Sequence, residues 1–202
     1  PEEPAQHLAL SPDGALLAVV LGQEVVIYEV SSGKPLTRLA GHEGEVSRAA
    51  FSPGGDILVT SSKDRTVRAW GVADGKQFYA LEHPEVCDAV AFSPDGEMLA
   101  TCSGWEFGEI RLWDAGDGNE IRKMSLDTIE EKAHPSAFLM PSNVLTFSSD
   151  GTRLVSGEYG GCRVWDIDSG LLLRTVRREN NSGGPGTTAA SLAGDRLRFW
   201  DG

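Results

Sequence analysis

Cysteine is scarce in this sequence of 202 residues, which contains only Cys87, Cys102 and Cys162. An odd number of cysteines, far apart and without a paired spacing, argues against a disulfide framework and against a zinc site made of cysteines. Cys87 and Cys102 fall in short apolar segments, so they are expected to be small buried side chains rather than reactive thiols.

Positive charge and long apolar runs are also in short supply. The chain has 18 Lys and Arg against 30 Asp and Glu, a net charge of −12, which disfavours a partner held through nucleic-acid phosphates. No apolar run is long enough to span a membrane, and residues 1–6 have neither the basic nor the apolar part of a signal peptide. These absences predict a soluble domain with neither nucleic acid nor membrane as a partner; the compartment stays open, with the cytoplasm favoured.

Glycine, by contrast, is abundant, with 24 residues, and it recurs in a periodic pattern. The segment Ser-Pro-Asp-Gly at 11–14 returns with small changes at 52–55, at 93–96 and, after an insertion, at 148–151. Each of these turns is followed at a similar distance by an aromatic residue and then a small or acidic one; these aromatics are Tyr28, Trp70, Trp113 and Trp165, and Trp200 is a fifth. A period of this kind predicts repeated structural units.

The segments between these markers predict β-strands. Over a few residues, these segments either alternate between apolar and polar residues or are continuously apolar, as at 57–60 and 67–70. Turn residues lie on both sides of each segment. Asp-Gly and Gly-Gly pairs are typical of tight hairpins. The sequence therefore predicts an all-β chain whose units are meanders of four antiparallel strands.

This pattern resembles the WD-repeat β-propeller family, in which each unit runs from a Gly-His pair to a Trp-Asp pair and forms one blade. The resemblance covers nearly the whole chain. It implies that a His, a Ser or Thr, an Asp and the Trp of a blade form a hydrogen-bonded set that fastens the sheet. The matching residues are His42, Ser62, Asp64 and Trp70 in the second unit, His83, Ser103 and Trp113 in the third, and His134 and Trp165 in the fourth. Only the second unit has all four, so the network is expected to be thin in the other blades.

The recurring His, Ser and Asp favour a structural role over a hydrolase triad, because they return at the repeat spacing and a single active site would not. The sequence contains no nucleophile elbow, no phosphate-binding glycine loop and no closely spaced histidine ligands. We therefore expect no enzyme, no metal site and no cofactor.

The length predicts about four and a half to five blades, which form an incomplete ring. The units lie near 1–39, 40–81, 82–125, 126–176 and a short partial unit at 177–202. The preferred alignment makes Arg196–Trp200 the third strand of the last unit; an alternative makes Ala189–Leu192 its inner strand and Arg196–Trp200 the next. The chain is expected to be part of a larger protein, and its open sheet edge predicts self-association or completion of the ring by another chain.

Departures from the repeat predict the binding surface. The turn at 104–109 is longer than its counterpart in the second unit and carries two large aromatics, and the neighbouring fourth unit offers a third. Aromatics with an acidic rim suggest a peptide or a basic protein surface as partner. The candidate residues are Trp105, Glu106, Phe107, Glu109, Glu158 and Tyr159. A second interpretation, that Trp105 covers its own blade, stays open.

These features predict a non-catalytic scaffold for protein–protein interaction. The alternative is an enzyme, or a regulatory domain of one, with its site in the central channel of the propeller. A ring of ionisable residues with shifted pKa values around a deep pocket would favour the enzyme.

Overall fold

The computed structural model describes residues 4–103, 109–124, 144–158, 161–177, 189–193 and 196–200. Within these ranges the chain forms eighteen β-strands and no helix. Sixteen strands make four antiparallel sheets of four, each in sequence order, and the last two form a hairpin. The strands are β1 (His7–Leu10), β2 (Leu16–Leu21), β3 (Glu24–Glu29), β4 (Pro35–Leu39), β5 (Val46–Phe51), β6 (Ile57–Ser62), β7 (Thr66–Gly71), β8 (Gln77–Glu82), β9 (Cys87–Phe92), β10 (Met98–Ser103), β11 (Glu109–Asp114), β12 (Glu120–Met124), β13 (Leu145–Phe147), β14 (Arg153–Glu158), β15 (Gly161–Asp166), β16 (Leu172–Arg177), β17 (Ala189–Ala193) and β18 (Arg196–Trp200).

The periodic Ser-Pro-Asp-Gly segment forms the turn between the first and second strands of each blade. Ser11 Oγ donates a hydrogen bond to Asp13 Oδ1 at 2.6 Å and accepts one from the Leu16 amide at 2.8 Å. Gly14 follows with a φ of 73°, a conformation that glycine adopts without strain. The serine thus supplies polar partners that would otherwise be missing at the turn, which explains why it recurs with the glycine.

Neighbouring blades pack face to face, and the repeated aromatic lies in each of these interfaces. Trp70 of the second blade is buried in one cluster with Ile27 and Leu39 of the first. Trp113 packs in the same way with Val67 of the second blade. Trp165 packs with residues of the third blade, including Ile110, Leu112 and Met124. The predicted propeller of four-stranded antiparallel blades is therefore confirmed.

The first blade has one face that no neighbouring blade covers in the described residues. Val30 is 50% exposed, whereas Val72, at the same repeat position in the second blade, is 7% exposed. Leu8 and Leu10 of β1 are also exposed, at 55% and 59%. The repeat thus leaves an apolar blade surface open to solvent at the start of the described chain.

The hairpin of β17 and β18 follows the fourth blade. β17 contacts β13 and β14, just as the inner strands β5 and β9 contact the first two strands of the blade before them. This placement supports the alternative alignment, with Ala189–Ala193 in the inner-strand position, over the one that made Arg196–Trp200 a third strand. Among the described strands, β18 pairs only with β17, and the propeller is unclosed.

Candidate functional site

The second blade holds a buried polar network centred on His42. Its Nδ1 lies 2.8 Å from Asp64 Oδ2 and its Nε2 lies 2.7 Å from Thr60 Oγ1. Trp70 Nε1 donates to the same Thr60 hydroxyl at 2.8 Å. Gly41 lets the loop before His42 approach this tryptophan, because a Cβ there would lie 3.2 Å from the Trp70 ring. The network therefore ties the loop, β6 and β7 of one blade together.

The protonation states of Asp64 and His42 determine which atoms of the network donate hydrogen bonds. Burial raises the pKa of the Asp64 carboxyl, but hydrogen bonds from Thr66, His42 and the Glu43 amide outweigh it and hold that pKa well below its usual range. Burial lowers the pKa of His42, although Asp64 opposes the shift. A carboxylate only accepts, so His42 Nδ1–H donates to Asp64, and the Thr60 hydroxyl donates to the unprotonated Nε2.

Thr60 occupies the place that the sequence analysis assigned to Ser62. The Ser62 Oγ instead accepts the Asp64 amide at 3.1 Å and so shapes the turn between β6 and β7. The two residues stand two positions apart on the same face of β6, so the motif alone does not distinguish their hydroxyls. The register could have found it: a hydroxyl stands eight residues after the turn serine in three blades, at Thr60, Thr101 and Ser156, and each accepts from the Trp Nε1 of its blade.

Removing Asp64 should destabilise the second blade. Asp64→Ala is expected to cost on the order of 1–3 kcal/mol, because the buried His42 Nδ1 and two backbone amides lose their acceptor. Urea denaturation measures this loss. Lys63→Ala is the matched control, since Lys63 forms only an exposed ion pair with Glu45, and it should change stability by less than about 1 kcal/mol. Equal losses in the two variants would contradict a fastening role for Asp64.

The third blade keeps the tryptophan bond but has a different histidine environment. His83 is buried and packs edge-on against Trp113, with ring centroids 5.5 Å apart. Neither ring nitrogen has a hydrogen-bond partner among the described residues, and the same holds for the Ser103 hydroxyl. Burial, together with the Arg111 charge, lowers the pKa of His83 to about 4. His83 and Ser103 therefore do not form a counterpart of the His42 network within the described chain.

The fourth blade is described only in part at these positions. Trp165 Nε1 donates to Ser156 Oγ at 3.0 Å. His134, the third histidine of the predicted set, lies outside the described residues.

The predicted partner-binding residues lie mostly outside the described part of the chain. Trp105, Glu106, Phe107 and Tyr159 lie outside the described residues, and Glu158 is placed only as the last residue of β14. Glu109 begins β11, where its carboxylate pairs with Arg111 and with Lys123. These partners outweigh burial and lower the pKa of Glu109. Glu109 is thus neutralised within its own blade.

The described residues contain no group of three or more His, Cys, Asp or Glu that could hold a metal ion. They also contain no helix long and apolar enough to cross a membrane.

The repeated blades and their tryptophan-centred bonds define a β-propeller built from short sequence repeats. The family described as WD domain, G-beta repeat matches residues 33–71, 75–114 and 132–166. The chain therefore belongs to the WD40-repeat family.

Relatives of known name match the chain over most of its length. It is 37% identical over 147 residues to the small ribosomal subunit protein RACK1z of Arabidopsis thaliana, covering 68% of this chain and 44% of that protein. It is 30% identical over 162 residues to the target of rapamycin complex subunit wat1 of Schizosaccharomyces pombe, covering 79% and 48%. It is 33% identical over 165 residues to a periodic tryptophan protein 2 homolog of Neurospora crassa, covering 74% and 18%. The chain thus spans less than half the length of each of these relatives.

Proposed function

We propose that this chain is a non-catalytic scaffold for protein–protein interaction and that it works as part of a longer protein. The observation that carries the proposal is that recurring polar residues of the second blade form hydrogen bonds with one another inside it. His42, Asp64 and Thr60 spend their hydrogen-bonding groups on one another and on Trp70, inside a blade. Residues engaged in this way fasten a rigid surface and are not exposed to act on a substrate.

The relatives support the same function. Two of them are named as components of larger assemblies, the small ribosomal subunit and the target of rapamycin complex. A rigid propeller offers several loop surfaces at once, which suits a protein that holds partners together.

We place the binding surface on the loop face that carries the long turn of the third blade. Its residues are Trp105, Glu106, Phe107, Glu109, Glu158 and Tyr159. Aromatic side chains are frequent anchors of interfaces, and a surrounding acidic rim selects a peptide or protein surface of positive charge. Because Glu109 is paired with Arg111 and Lys123, the rim charge comes chiefly from Glu106 and Glu158.

The uncovered face of the first blade supports the second part of the proposal. In the second and fourth blades, the positions equivalent to Val30 are covered by a neighbouring blade, as Val72 and Ile167 show. We propose that a further blade, from a longer chain or from a second copy, covers Leu8, Leu10 and Val30 in the working protein. An exposed apolar surface of this kind otherwise favours association.

Substitution of Trp105 tests the binding surface. Trp105→Ala is expected to weaken binding of a basic partner recovered by pull-down by roughly 2 kcal/mol, because a central aromatic loses its buried contacts. Glu106→Gln should act mainly on the association rate and its salt dependence. Surface plasmon resonance of both variants at two salt concentrations separates these effects.

The control lies on the opposite loop face, in the turn of residues 74–76. Asp74→Ala and Lys76→Ala should leave the affinity unchanged, since both residues belong to the turn between β7 and β8. Loss of binding in these variants, with Trp105→Ala unaffected, would mean that the partner binds the other end of the propeller.

A further inference from the structure

The inner strands of the four blades converge on a cavity of about 220 Å³. The sequence repeat explains one layer of the lining. In each blade, the residue four positions before the turn serine contributes a side chain to this layer. These residues are His7, Arg48, Ala89 and Val144, one from each blade. Ala49, Val90 and Leu145, one position further along, complete the lining. The first two blades thus supply polar groups, and the third and fourth supply an apolar wall.

The polar groups of the cavity have bonding capacity left over. Arg48 Nη1 donates to the Ser47 carbonyl at 3.0 Å, and within the described chain no carboxylate lies within ion-pair distance of its guanidinium. His7 Nδ1 is buried and has no hydrogen-bond partner among the described residues. Because this nitrogen is itself inaccessible to water, the guanidinium of Arg48 is the donor that a ligand in the cavity meets.

Asp88 is the nearby acidic group. It stands on β9 beside the lining residue Ala89, and it interacts electrostatically with Arg48. Burial raises the pKa of Asp88, although the Arg48 charge opposes the shift. Burial, and then the charge of Arg48, lowers the pKa of His7, so His7 is neutral near pH 7. The strand of the fourth blade adds only Val144 and Leu145 to the cavity. Among the described residues, the charged groups at the cavity are therefore the guanidinium of Arg48 and the nearby carboxylate of Asp88.

We propose that this cavity binds a small ligand made of one carboxylate on a short aliphatic body. Arg48 holds the carboxylate through its guanidinium fork, beside His7. The aliphatic body lies against Ala49, Val90 and Leu145. Nothing in this site depends on the loop face, so the inference goes beyond the scaffold function.

Charge and size select this ligand class. Arg48 is the one cation among the described lining residues, and Asp88 offsets part of its charge, so the site favours a monoanion over a phosphate dianion. The cavity is also smaller than those that hold drug-sized ligands, which begin at about 300 Å³. A guanidinium matches the two oxygens of a carboxylate in a planar, bidentate contact. The chemistry proposed is that of binding and positioning.

The test uses the whole chain and defined probes. We expect 3-methylbutanoate and hexanoate to bind with 1:1 stoichiometry and a Kd of about 1 mM or below, measured by calorimetry and by NMR of the His7 ring. The amide 3-methylbutanamide, of the same shape but uncharged, should bind at least about tenfold more weakly. Ligand binding should also raise the pKa of His7, because an anion beside the ring favours its protonated form.

Two substitutions change affinity in opposite directions. Arg48→Gln should weaken carboxylate binding at least about tenfold, and Asp88→Asn should tighten it about two- to fivefold by removing the competing charge. Arg38→Gln, an exposed residue on β4, is the control and should change nothing. The proposal is overturned if neither carboxylate binds saturably, if the amide or inorganic phosphate binds as tightly, or if both cavity variants keep the original affinity.

Discussion

Replacing Trp70 by alanine is expected to lower the free energy of unfolding by about 3–5 kcal/mol, the largest effect of any single substitution considered for this protein. The indole is 2% exposed and packs between the first two blades with Leu58 and Val72. The change leaves a cavity in that interface. It also removes the hydrogen bond that Trp70 Nε1 donates to Thr60 Oγ1. This hydroxyl then keeps only one of its two partners, His42. Urea denaturation followed by tryptophan fluorescence and circular dichroism measures the loss.

Tyr28 offers a matched control within the same chain. It occupies the Trp70 position of the first blade, but in the described residues no blade covers its face of the sheet, and it stays partly exposed. Tyr28→Ala is therefore expected to cost only about 1–2 kcal/mol. If the two alanine variants lost the same stability, burial between blades would not be the reason for the Trp70 effect.

Acid should destabilise the protein through His83. Its pKa is lowered to about 4 in the folded chain, against about 6.5 when unfolded, so the unfolded chain binds more protons between these values. The contribution of neutral His83 is complete above pH 6.5 and is lost as the pH falls towards 4. The loss is about 3 kcal/mol, since each pKa unit corresponds to about 1.4 kcal/mol and the histidine is 6% exposed.

His83→Gln isolates this effect. Denaturation of both proteins at several pH values between 4 and 7 gives two curves of stability against pH, in which all other titrating groups are shared. As the pH falls from 7 to 4, the native sequence should lose about 3 kcal/mol more of its free energy of unfolding than His83→Gln loses. Parallel curves would show that His83 does not change its protonation on unfolding in this window.

The repeat pattern was sufficient to predict the blades. The turn serines, the glycines of positive φ and the recurring aromatics share one period, and each belongs to a local structure that its neighbours in sequence determine. Ser11, Asp13 and Gly14 complete their turn within a few residues, so no distant contact is needed to form it. Trp70, Trp113 and Trp165 were recognised for the same reason, since they recur at a fixed place in a strand.

Contacts between strands were harder to predict. Ser62 and Thr60 lie on the same face of β6, and only the depth at which His42 enters the blade decides that Thr60 binds it. Glu109 looked like a free rim carboxylate, but the pairing of β11 with β12 brings Lys123 onto it. In the last unit, β17 packs against the fourth blade in the inner-strand position. The sequence pattern favoured the other alignment, because this packing is not visible in the repeat markers.

The sequence by itself determined the all-β class, the four-stranded unit and the blade to which each turn serine and recurring aromatic belongs. This was possible because strand alternation and turn formation depend on residues only a few positions apart. Only the tertiary structure decided which hydroxyl joins the His42 network, why His83 stays neutral, and that His7 and Arg48 meet at one level of the central cavity. These outcomes depend on desolvation, on contacts between strands of one blade and on distances between blades that are about 41 residues apart in sequence. Such distances are set when the blades pack, and no local pattern contains them.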